Sequence, residues 1–231
     1  MALPPRGPVV VLTYDGVAAD ETGAVVEILT SADLDVIIAS VGSASVTSFH
    51  GRVFPTRTID DLRNCSALII PGGMGVQTAA KNQQLAEAVR QLAESATWLG
   101  ATSTGSVLLA AAGVVDGARA TTHWLAGDLL TSHGLTLVNE PFVEYGRLLT
   151  ASGLVSSATL AFRLIGALAG VEAERRAKAR YQGRPPSDPR YRRRKPSPWL
   201  RIGRRRTTPI SHPLDPSGQA EITILDLDLE D

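Results

Sequence analysis

The sequence is poor in cysteine, in aromatic residues and in long apolar runs. Its single cysteine, Cys65, excludes an intramolecular disulfide and any metal site built from a cysteine cluster. No apolar run reaches the roughly 18 residues that a membrane span requires, and the N-terminus lacks the pattern of a signal peptide. We therefore expect a soluble, cytoplasmic protein without a membrane partner.

Aromatic residues make up only 5% of the 231 residues, whereas hydrophobic residues make up 44%. The hydrophobic share is large enough for a packed core and excludes wholesale disorder. The core must then be built mainly from alanine, valine, leucine and isoleucine. The length fits one domain of roughly 150–200 residues with an appendage.

The chain also lacks a net charge, but this balance conceals a strong asymmetry along the sequence. Residues 1–170 carry 9 basic and 14 acidic side chains, and residues 171–206 carry 14 basic and 3 acidic ones. Residues 207–231 carry no basic and 6 acidic side chains. The net charges of −5, +11 and −6 mark the first segment as the folded domain and the rest as a separate tail.

Alternating strand and helix patterns predict the fold of residues 1–180. Continuous apolar, β-branched runs at 9–14 and 67–70 are typical of strands buried on both faces. Helical patterns separate these runs from further strand patterns at 34–41, 98–102 and 119–122, and from a return hairpin at 135–138 and 142–150. We expect an α/β domain whose mostly parallel sheet is covered by helices on both faces.

The predicted arm, residues 181–231, differs from the domain in composition. Eight prolines between 185 and 216, set among arginines, exclude a helix or a central strand. Arginine clusters beside Trp199 are typical of nonspecific phosphate-binding patches, but no nucleic-acid-binding motif accompanies them. We therefore expect no nucleic-acid partner, and favour pairing of this extended arm with the acidic tail or with the domain of a neighbouring subunit. The alternating segment 221–229 is able to add as an edge strand.

Four strand ends carry residues suited to chemistry, because ligands of open α/β sheets bind at the carboxyl ends of the strands. These are Asp20, Gly72 with Gly73, Ser103 and His123. The segment 101–106 is the most informative, since a strand that runs through a small residue and glycine into a buried helix describes a nucleophile elbow. Ser103 would then be presented at the turn, beside helix N–H groups that favour negative charge. A simple helix N-cap at Ser103 is the competing interpretation.

The other positions each have a functional and a purely structural interpretation. Gly72 and Gly73 can present backbone N–H groups to an oxyanion or phosphate, or they can simply form a tight turn. Asp20 is a candidate general acid or base beside Ser103, or an exposed helix cap. His123 is a candidate base, although a lone histidine is more often a hydrogen-bonded structural residue. The remaining histidines and the cysteine show no metal-ligand spacing, so we predict no metal.

Taken together, these motifs resemble the ThiJ/PfpI superfamily with its glutamine-amidotransferase-like fold, and most closely its isonitrile hydratase branch. The resemblance rests on the segments Tyr14–Gly23, Ile69–Gly73, Ser103–Ser106 and Gly113–Trp124. It covers about residues 8–172, and its most specific part is 103–124. The ligand-sensing domains of AraC-type regulators are similar to this branch, but no convincing helix-turn-helix pattern follows residue 180.

The resemblance implies a flavodoxin-like three-layer sandwich, a homodimer and a small-molecule substrate, and we expect no cofactor. Carried over by position, Ser103 stands where the family has a cysteine, and Asp20 where the hydratases have a carboxylate. His123 matches a histidine that the superfamily places near the elbow. Developing negative charge would be bound by three backbone groups, those of Gly72, Gly73 and Thr104.

The serine at position 103 is the main departure from that pattern. A helix N-terminus can lower the pKa of a thiol enough to give a thiolate, but the same field cannot ionise a serine hydroxyl, which needs an adjacent base. Three functions follow. In the first, which we favour, Asp20 acts as acid and base in a hydratase or lyase while Ser103 positions substrate or water. In the second, Ser103 is the nucleophile of an acyl hydrolase, activated by His123 or Asp20; in the third, the domain only binds a small molecule as a regulator.

Deletion of residues 182–231 tests the predicted arm. The opposite charges of arm, tail and domain complement one another across a dimer, and the stretch 221–229 has an apolar stripe that needs cover. We expect the deletion to weaken the dimer or expose apolar surface, as measured by light scattering and dye binding. If the truncated protein stays equally dimeric and stable, and full-length protein binds DNA with a steep salt dependence, the arm is a nucleic-acid tether instead.

Overall fold

The computed structural model describes residues 7–59, 62 and 64–181. The predicted arm lies outside these residues, apart from Tyr181 at the end of the last helix. A short 3₁₀ turn at Trp124–Ala126 lies directly before the helix that begins at Gly127. In chain order the strands and helices are β1 Val9–Leu12, α1 Ala19–Thr30, β2 Val36–Ser40, β3 Ser45–Thr47, β4 Val53–Pro55, β5 Arg57–Thr58, β6 Ala67–Ile70, α2 Val76–Ala79, α3 Gln83–Ser95, β7 Trp98–Thr102, α4 Gly105–Ala111, β8 Arg119–Ala120, α5 Gly127–Ser132, β9 Thr136–Leu137, β10 Phe142–Tyr145, β11 Leu148–Ala151, α6 Leu154–Ala169 and α7 Val171–Tyr181.

Seven of the strands form one sheet in the order β10-β11-β7-β6-β1-β2-β5. Every neighbouring pair in this sheet is parallel except β10 and β11, which are antiparallel. Helices cover both faces, so the sheet is the middle layer of three. The predicted α/β class, the mostly parallel sheet and the flavodoxin-like layering are confirmed.

The central strands are buried on both faces, and this explains their uninterrupted apolar sequence. Alternate residues of β1 point to opposite sides of the sheet: Val10 and Leu12 join the core beneath α3 and α4. Val9 and Val11 join the core beneath α1 and α6. Each fully buried aliphatic side chain of this kind stabilises the fold by about 1.5–3 kcal/mol. The two cores hold the sheet rigidly between its helices.

Four details differ from the sequence-based expectation. The segment at 119–122 forms only the two-residue β8, which pairs with β9 in a separate small sheet. The strand that pairs with β7 here is instead β11. All four residues of β11 are buried, whereas β8 carries the exposed Arg119. The return hairpin is therefore β10–β11. The sequence pattern predicts a last helix from about Val155 through Leu168 with a charged extension to Arg180, but the structure divides it into α6 and α7 at Gly170, where φ is +91°. The hairpin β3–β4 has no recognisable signal in the sequence.

The topology brings three strand ends together. From β1 the chain moves to β2 on one side, then returns to place β6 on the other side of β1. Such a reversal opens a crevice at the carboxyl ends of the strands. The residues that follow β1, β6 and β7 therefore meet at one edge of the sheet. Among the described helices, none is long and apolar enough to cross a membrane.

Candidate active site

A strained turn at Ser103 forms the centre of this edge. Strand β7 ends at Thr102, α4 begins at Gly105, and Ser103 between them has a φ of +51°. This left-handed conformation is uncommon for a residue other than glycine, and such residues cluster at functional sites. The Ser103 N–H donates to the Ala151 carbonyl (2.7 Å), and the Ser103 carbonyl accepts from the Thr122 hydroxyl (3.0 Å). The elbow predicted from the sequence is therefore present in the backbone.

Two glycines allow the elbow to pack closely. A Cβ on Gly72 would lie 2.5 Å from the Cβ of Ser103 and 2.8 Å from its Oγ, so the Ser103 side chain lies directly over the Gly72 backbone. A Cβ on Gly105 would collide with the Ile70 carbonyl oxygen. Both positions need glycine because backbone and side chain must approach closely there. The predicted tight turn and the predicted elbow are thus two halves of one packed junction.

The carboxyl group at this junction is that of Glu21. Glu21 lies in the first turn of α1 and is only 7% exposed. Its Oε2 accepts a hydrogen bond from the Thr102 hydroxyl at 2.7 Å. The Ser103 hydroxyl and the Gly72 N–H lie beside the same carboxyl, where both lower its pKa. A single buried acid therefore joins the loops that follow β1, β6 and β7.

Burial controls the protonation of Glu21. Removal from water raises the pKa of the Glu21 carboxyl above its ordinary value of 4.5, and the neighbouring Asp20 charge adds to the rise. The hydrogen bonds from Thr102, Gly72 and Ser103 oppose this rise without cancelling it. The neutral acid therefore persists to higher pH than in an ordinary glutamate, as a proton donor requires.

Asp20, predicted to face Ser103, lies elsewhere. Its side chain is exposed, and its Oδ1 accepts a hydrogen bond from the backbone N–H of Glu21 (3.0 Å). The place beside Ser103 expected for the Asp20 carboxylate is occupied by Glu21. Helical phase is the physical reason: Glu21 shares the buried face of α1 with Val25 and Ile28, whereas Asp20 is turned toward solvent. That periodicity was the signal that could have found Glu21 from the sequence.

The backbone groups expected to bind negative charge are largely engaged within the protein. The Gly73 N–H donates to the Thr104 hydroxyl (2.9 Å), and that hydroxyl donates back to the Gly73 carbonyl (3.0 Å). The Gly72 N–H faces the Thr102 hydroxyl (3.4 Å) and the Glu21 carboxyl. These contacts tie the two loops together. Between the two glycines, the Gly72 N–H is the one that acts on the Glu21 carboxyl.

His123 lies at the wall of the site. It caps the 3₁₀ turn, and its Nδ1 accepts a hydrogen bond from the Leu125 N–H at 3.3 Å. The contact that joins this segment to the elbow comes from the neighbouring Thr122, whose hydroxyl donates to the Ser103 carbonyl. The imidazole thus has the structural role that we considered, while one side of it remains part of the cavity lining.

An open cavity of about 700 Å³ adjoins Glu21 and His123. Its size is within the range of small-molecule sites. Apolar and small hydroxyl side chains dominate the lining, and no lysine or arginine is among the lining residues. Besides Glu21 and His123 these residues are Trp124, Pro141, Phe142, Ser152, Gly153, Leu154, Val155, Ser156 and Thr159. The cavity suits a small, uncharged molecule with an apolar part.

Two other sequence expectations concern metals and the cysteine. Within the described part of the chain, no three histidine, cysteine, aspartate or glutamate side chains lie close enough to hold a metal ion. Cys65 is buried away from this edge, where burial raises the pKa of its thiol to about 11. Such a thiol stays protonated and unreactive at neutral pH.

Comparisons with known proteins relate the sequence and the fold of this chain to known families. The sequence model of the DJ-1/PfpI family matches residues 8–167. The chain is 31% identical to an isonitrile hydratase of Pseudomonas putida over 193 residues, or 82% of this chain and 85% of that protein. It is 27% identical to the glutathione-independent glyoxalase DJR-1.2 of Caenorhabditis elegans over 149 residues, or 63% of this chain and 80% of that protein. A solved structure of a ThiJ/PfpI family protein from Pseudomonas syringae shares the fold, with a TM-score of 0.72 and 21% identity over 80% of this chain and 78% of that one.

The raised pKa of Glu21 predicts a specific dependence of stability on pH. Between the ordinary glutamate pKa and the raised folded-state value, the folded protein binds more protons than the unfolded chain. Stability therefore falls as pH rises through this window, by up to about 1.4 kcal/mol per pH unit. Because Glu21→Gln keeps the shape and lacks the titration, we expect it to gain stability relative to wild type as pH rises, measured by urea unfolding.

The matched control is Glu27→Gln, which removes an exposed glutamate from the same helix. If the two variants differ from wild type by the same amount at every pH, Glu21 is not titrating as a buried acid and this description of the site is wrong.

Proposed function

Since this chain belongs to the DJ-1/PfpI family, we propose that it is a cofactor-independent hydratase of the isonitrile hydratase type. The observation that carries the proposal is the buried Glu21 carboxyl, which accepts a hydrogen bond from Thr102 next to the strained Ser103 and lines an apolar cavity. The 31% identity to an isonitrile hydratase supports it. Glu21 takes the acid–base role that the sequence suggested for Asp20.

One carboxyl group is sufficient for this chemistry. Hydration of an isonitrile, R–N≡C, yields the formamide R–NH–CHO. Protonated Glu21 gives its proton to the terminal carbon, and a water oxygen bonds to the same, now electrophilic, carbon. The Glu21 carboxylate then accepts a proton from the added water, and the resulting R–N=CH–OH rearranges to the formamide. The acid is restored, and no proton or electron is left over.

The surroundings of Glu21 fit both halves of this cycle. Burial raises the pKa of the carboxyl, so its acid form, which can donate, persists to higher pH. The hydrogen bonds from Thr102 and Gly72 then stabilise the carboxylate that forms. Ser103 orients the attacking water or the substrate through its hydroxyl. The cavity receives the apolar substituent R, since its lining offers aliphatic and aromatic side chains but no lysine or arginine.

A second candidate is an acyl hydrolase in which Ser103 is the nucleophile. The strained φ of Ser103 and its nearness to the Glu21 carboxyl favour this candidate, because a serine nucleophile needs an adjacent base. The raised pKa of Glu21 counts against it, since a base must be ionised at the working pH. The third possibility is a binding domain without catalysis, which would use the same cavity and would not require a catalytic role of Glu21.

Separate substitutions of the adjacent acids Glu21 and Asp20 test the proposed hydratase activity. With an alkyl isonitrile as substrate and formamide measured by mass spectrometry, Glu21→Gln is expected to lose about 10²–10⁴-fold in kcat, the usual contribution of a general acid. Asp20→Asn, one residue away and exposed, serves as the control and should retain most activity. Ser103→Ala should lose only about 2–10-fold, the worth of one positioning hydrogen bond.

The pH profile gives an independent check. Because the acid form of Glu21 must donate, kcat/KM is expected to fall as pH rises through the raised pKa of this residue. If Ser103→Ala abolishes activity and a covalent adduct forms on Ser103, the acyl hydrolase is correct instead. If folded wild type hydrates no isonitrile while ligands still bind, the domain is a binding module.

The homodimer implied by the family resemblance, and the arm at 181–231, remain predictions. The assignment of Glu21 does not rest on them, because it is argued from Thr102, Gly72 and Ser103 of the same chain.

A further inference from the structure

Thr102 holds a position in the site that the catalytic cycle above leaves unexplained. It is the last residue of β7 and is completely buried. Its hydroxyl oxygen lies 2.7 Å from Glu21 Oε2 and 3.4 Å from the Gly72 nitrogen. The three groups therefore form a short hydrogen-bonded chain that runs from the β6 loop through β7 to α1.

The direction of this chain is fixed at one end. A backbone N–H can only donate, so the Gly72 amide must donate to the Thr102 oxygen. Thr102 has a single hydroxyl proton, and its other partner is Glu21 Oε2. The threonine oxygen could also accept a proton from Oε2, but the buried Thr102 proton would then have no acceptor among the contacts of its hydroxyl, so it points to Oε2, which acts as an acceptor. A neutral carboxyl has one proton, and an oxygen that accepts in this way is the carbonyl oxygen of the acid.

We propose that Thr102 is a positioning residue that holds Glu21 Oε2 as the acceptor oxygen and thereby places the transferable proton on Oε1. The inference deepens the proposed hydratase and rests on it for its catalytic meaning. With Oε2 occupied, Glu21 cannot turn its proton toward the protein interior. The proton is available on the remaining oxygen, and the Thr102 hydrogen bond stays in place to stabilise the carboxylate after transfer.

If the role of Thr102 were only structural, replacing it would have the same kind of effect as replacing another buried, hydrogen-bonded threonine. Thr13 provides the comparison, because it is a buried threonine whose hydroxyl donates to a backbone carbonyl, that of Ala39, at 2.9 Å. Replacing either threonine by valine removes one buried hydrogen bond with little change in shape. Of these two threonines, only Thr102 donates its hydroxyl proton to an ionisable group. The other titratable groups that face Glu21 are Asp20 on the same helix, Tyr14 from the β1 loop and His123 across the cavity.

Infrared spectroscopy of full-length protein with ¹³C-labelled glutamate side chains tests the proton position without any substrate. The band of the neutral Glu21 carboxyl is identified as the one that Glu21→Gln removes. A hydrogen bond to the carbonyl oxygen lowers its stretching frequency, so we expect Thr102→Val to move this band to higher frequency. Thr102→Ser should leave it near the wild-type position, and Thr13→Val should not move it.

Kinetics with an alkyl isonitrile tests the catalytic consequence. Thr102→Val is expected to lower kcat about tenfold with little change in KM, because the lost bond is strongest to the carboxylate that forms during the reaction. The pH at which kcat/KM falls should shift upward, because removing a donor to the carboxylate raises the pKa of Glu21. Thr102→Ser should recover both values.

The proposal is wrong if Thr102→Val leaves the infrared band in place, or if Thr13→Val moves it equally. It is also wrong if Thr102→Val lowers kcat only as much as Thr13→Val and does not change the pH profile. If wild type shows no hydratase activity while the band still shifts as expected, the hydratase proposal fails and the assignment of the proton to Oε1 stands.

Discussion

The burial of one carboxyl group is the constraint on which the rest of the site depends. An ionised carboxylate without partners would be far too costly to place under the end of a sheet, so it must be neutral, hydrogen-bonded or both. Glu21 meets this demand through polar groups from two separate chain segments, Thr102 with Ser103 on one and Gly72 on the other. Thr102 is the last residue of β7 and Ser103 follows it, whereas Gly72 follows β6. The sheet register that aligns these two strands therefore also brings together the polar groups around the Glu21 carboxyl. The reversal of strand order at β1 is what brings α1 over them.

The fold was largely predictable because its signals are local and repeated. Continuous apolar runs identified β1 and β6, and the sharp ending of β7 in small residues identified the elbow at Ser103. The acid was harder to predict, because Asp20 and Glu21 are adjacent and chemically alike. They differ only in helical phase, and the position of a helix start decides which one turns inward. The placement of β8 also escaped prediction, because two residues of strand pattern contain no information about their partner.

The serine at position 103 changes how this site can work. In a strained turn at a helix N-terminus, a thiol would gain reactivity from its pKa, whereas a hydroxyl depends on its neighbours. Here the neighbour is an acid whose pKa burial raises. The physical consequence is a site in which the carboxyl, rather than the elbow residue, is the group prepared for proton transfer. Catalysis by Glu21 and a positioning role for Ser103 follow from that difference, and the apolar cavity beside them suits an uncharged substrate.

The most direct test of this account is the titration of Glu21 itself in the full-length protein. Carbon NMR of the labelled side-chain carboxyl, assigned by its loss in Glu21→Gln, reports the protonation of this one group as pH is varied. The account predicts a single titration whose midpoint lies clearly above the ordinary value of 4.5, with the neutral acid present well beyond the range of the exposed glutamates. A midpoint at or below 4.5 would show that the donors from Thr102, Ser103 and Gly72 outweigh burial. Glu21 would then be an ordinary carboxylate, and the proposed proton donor would not exist.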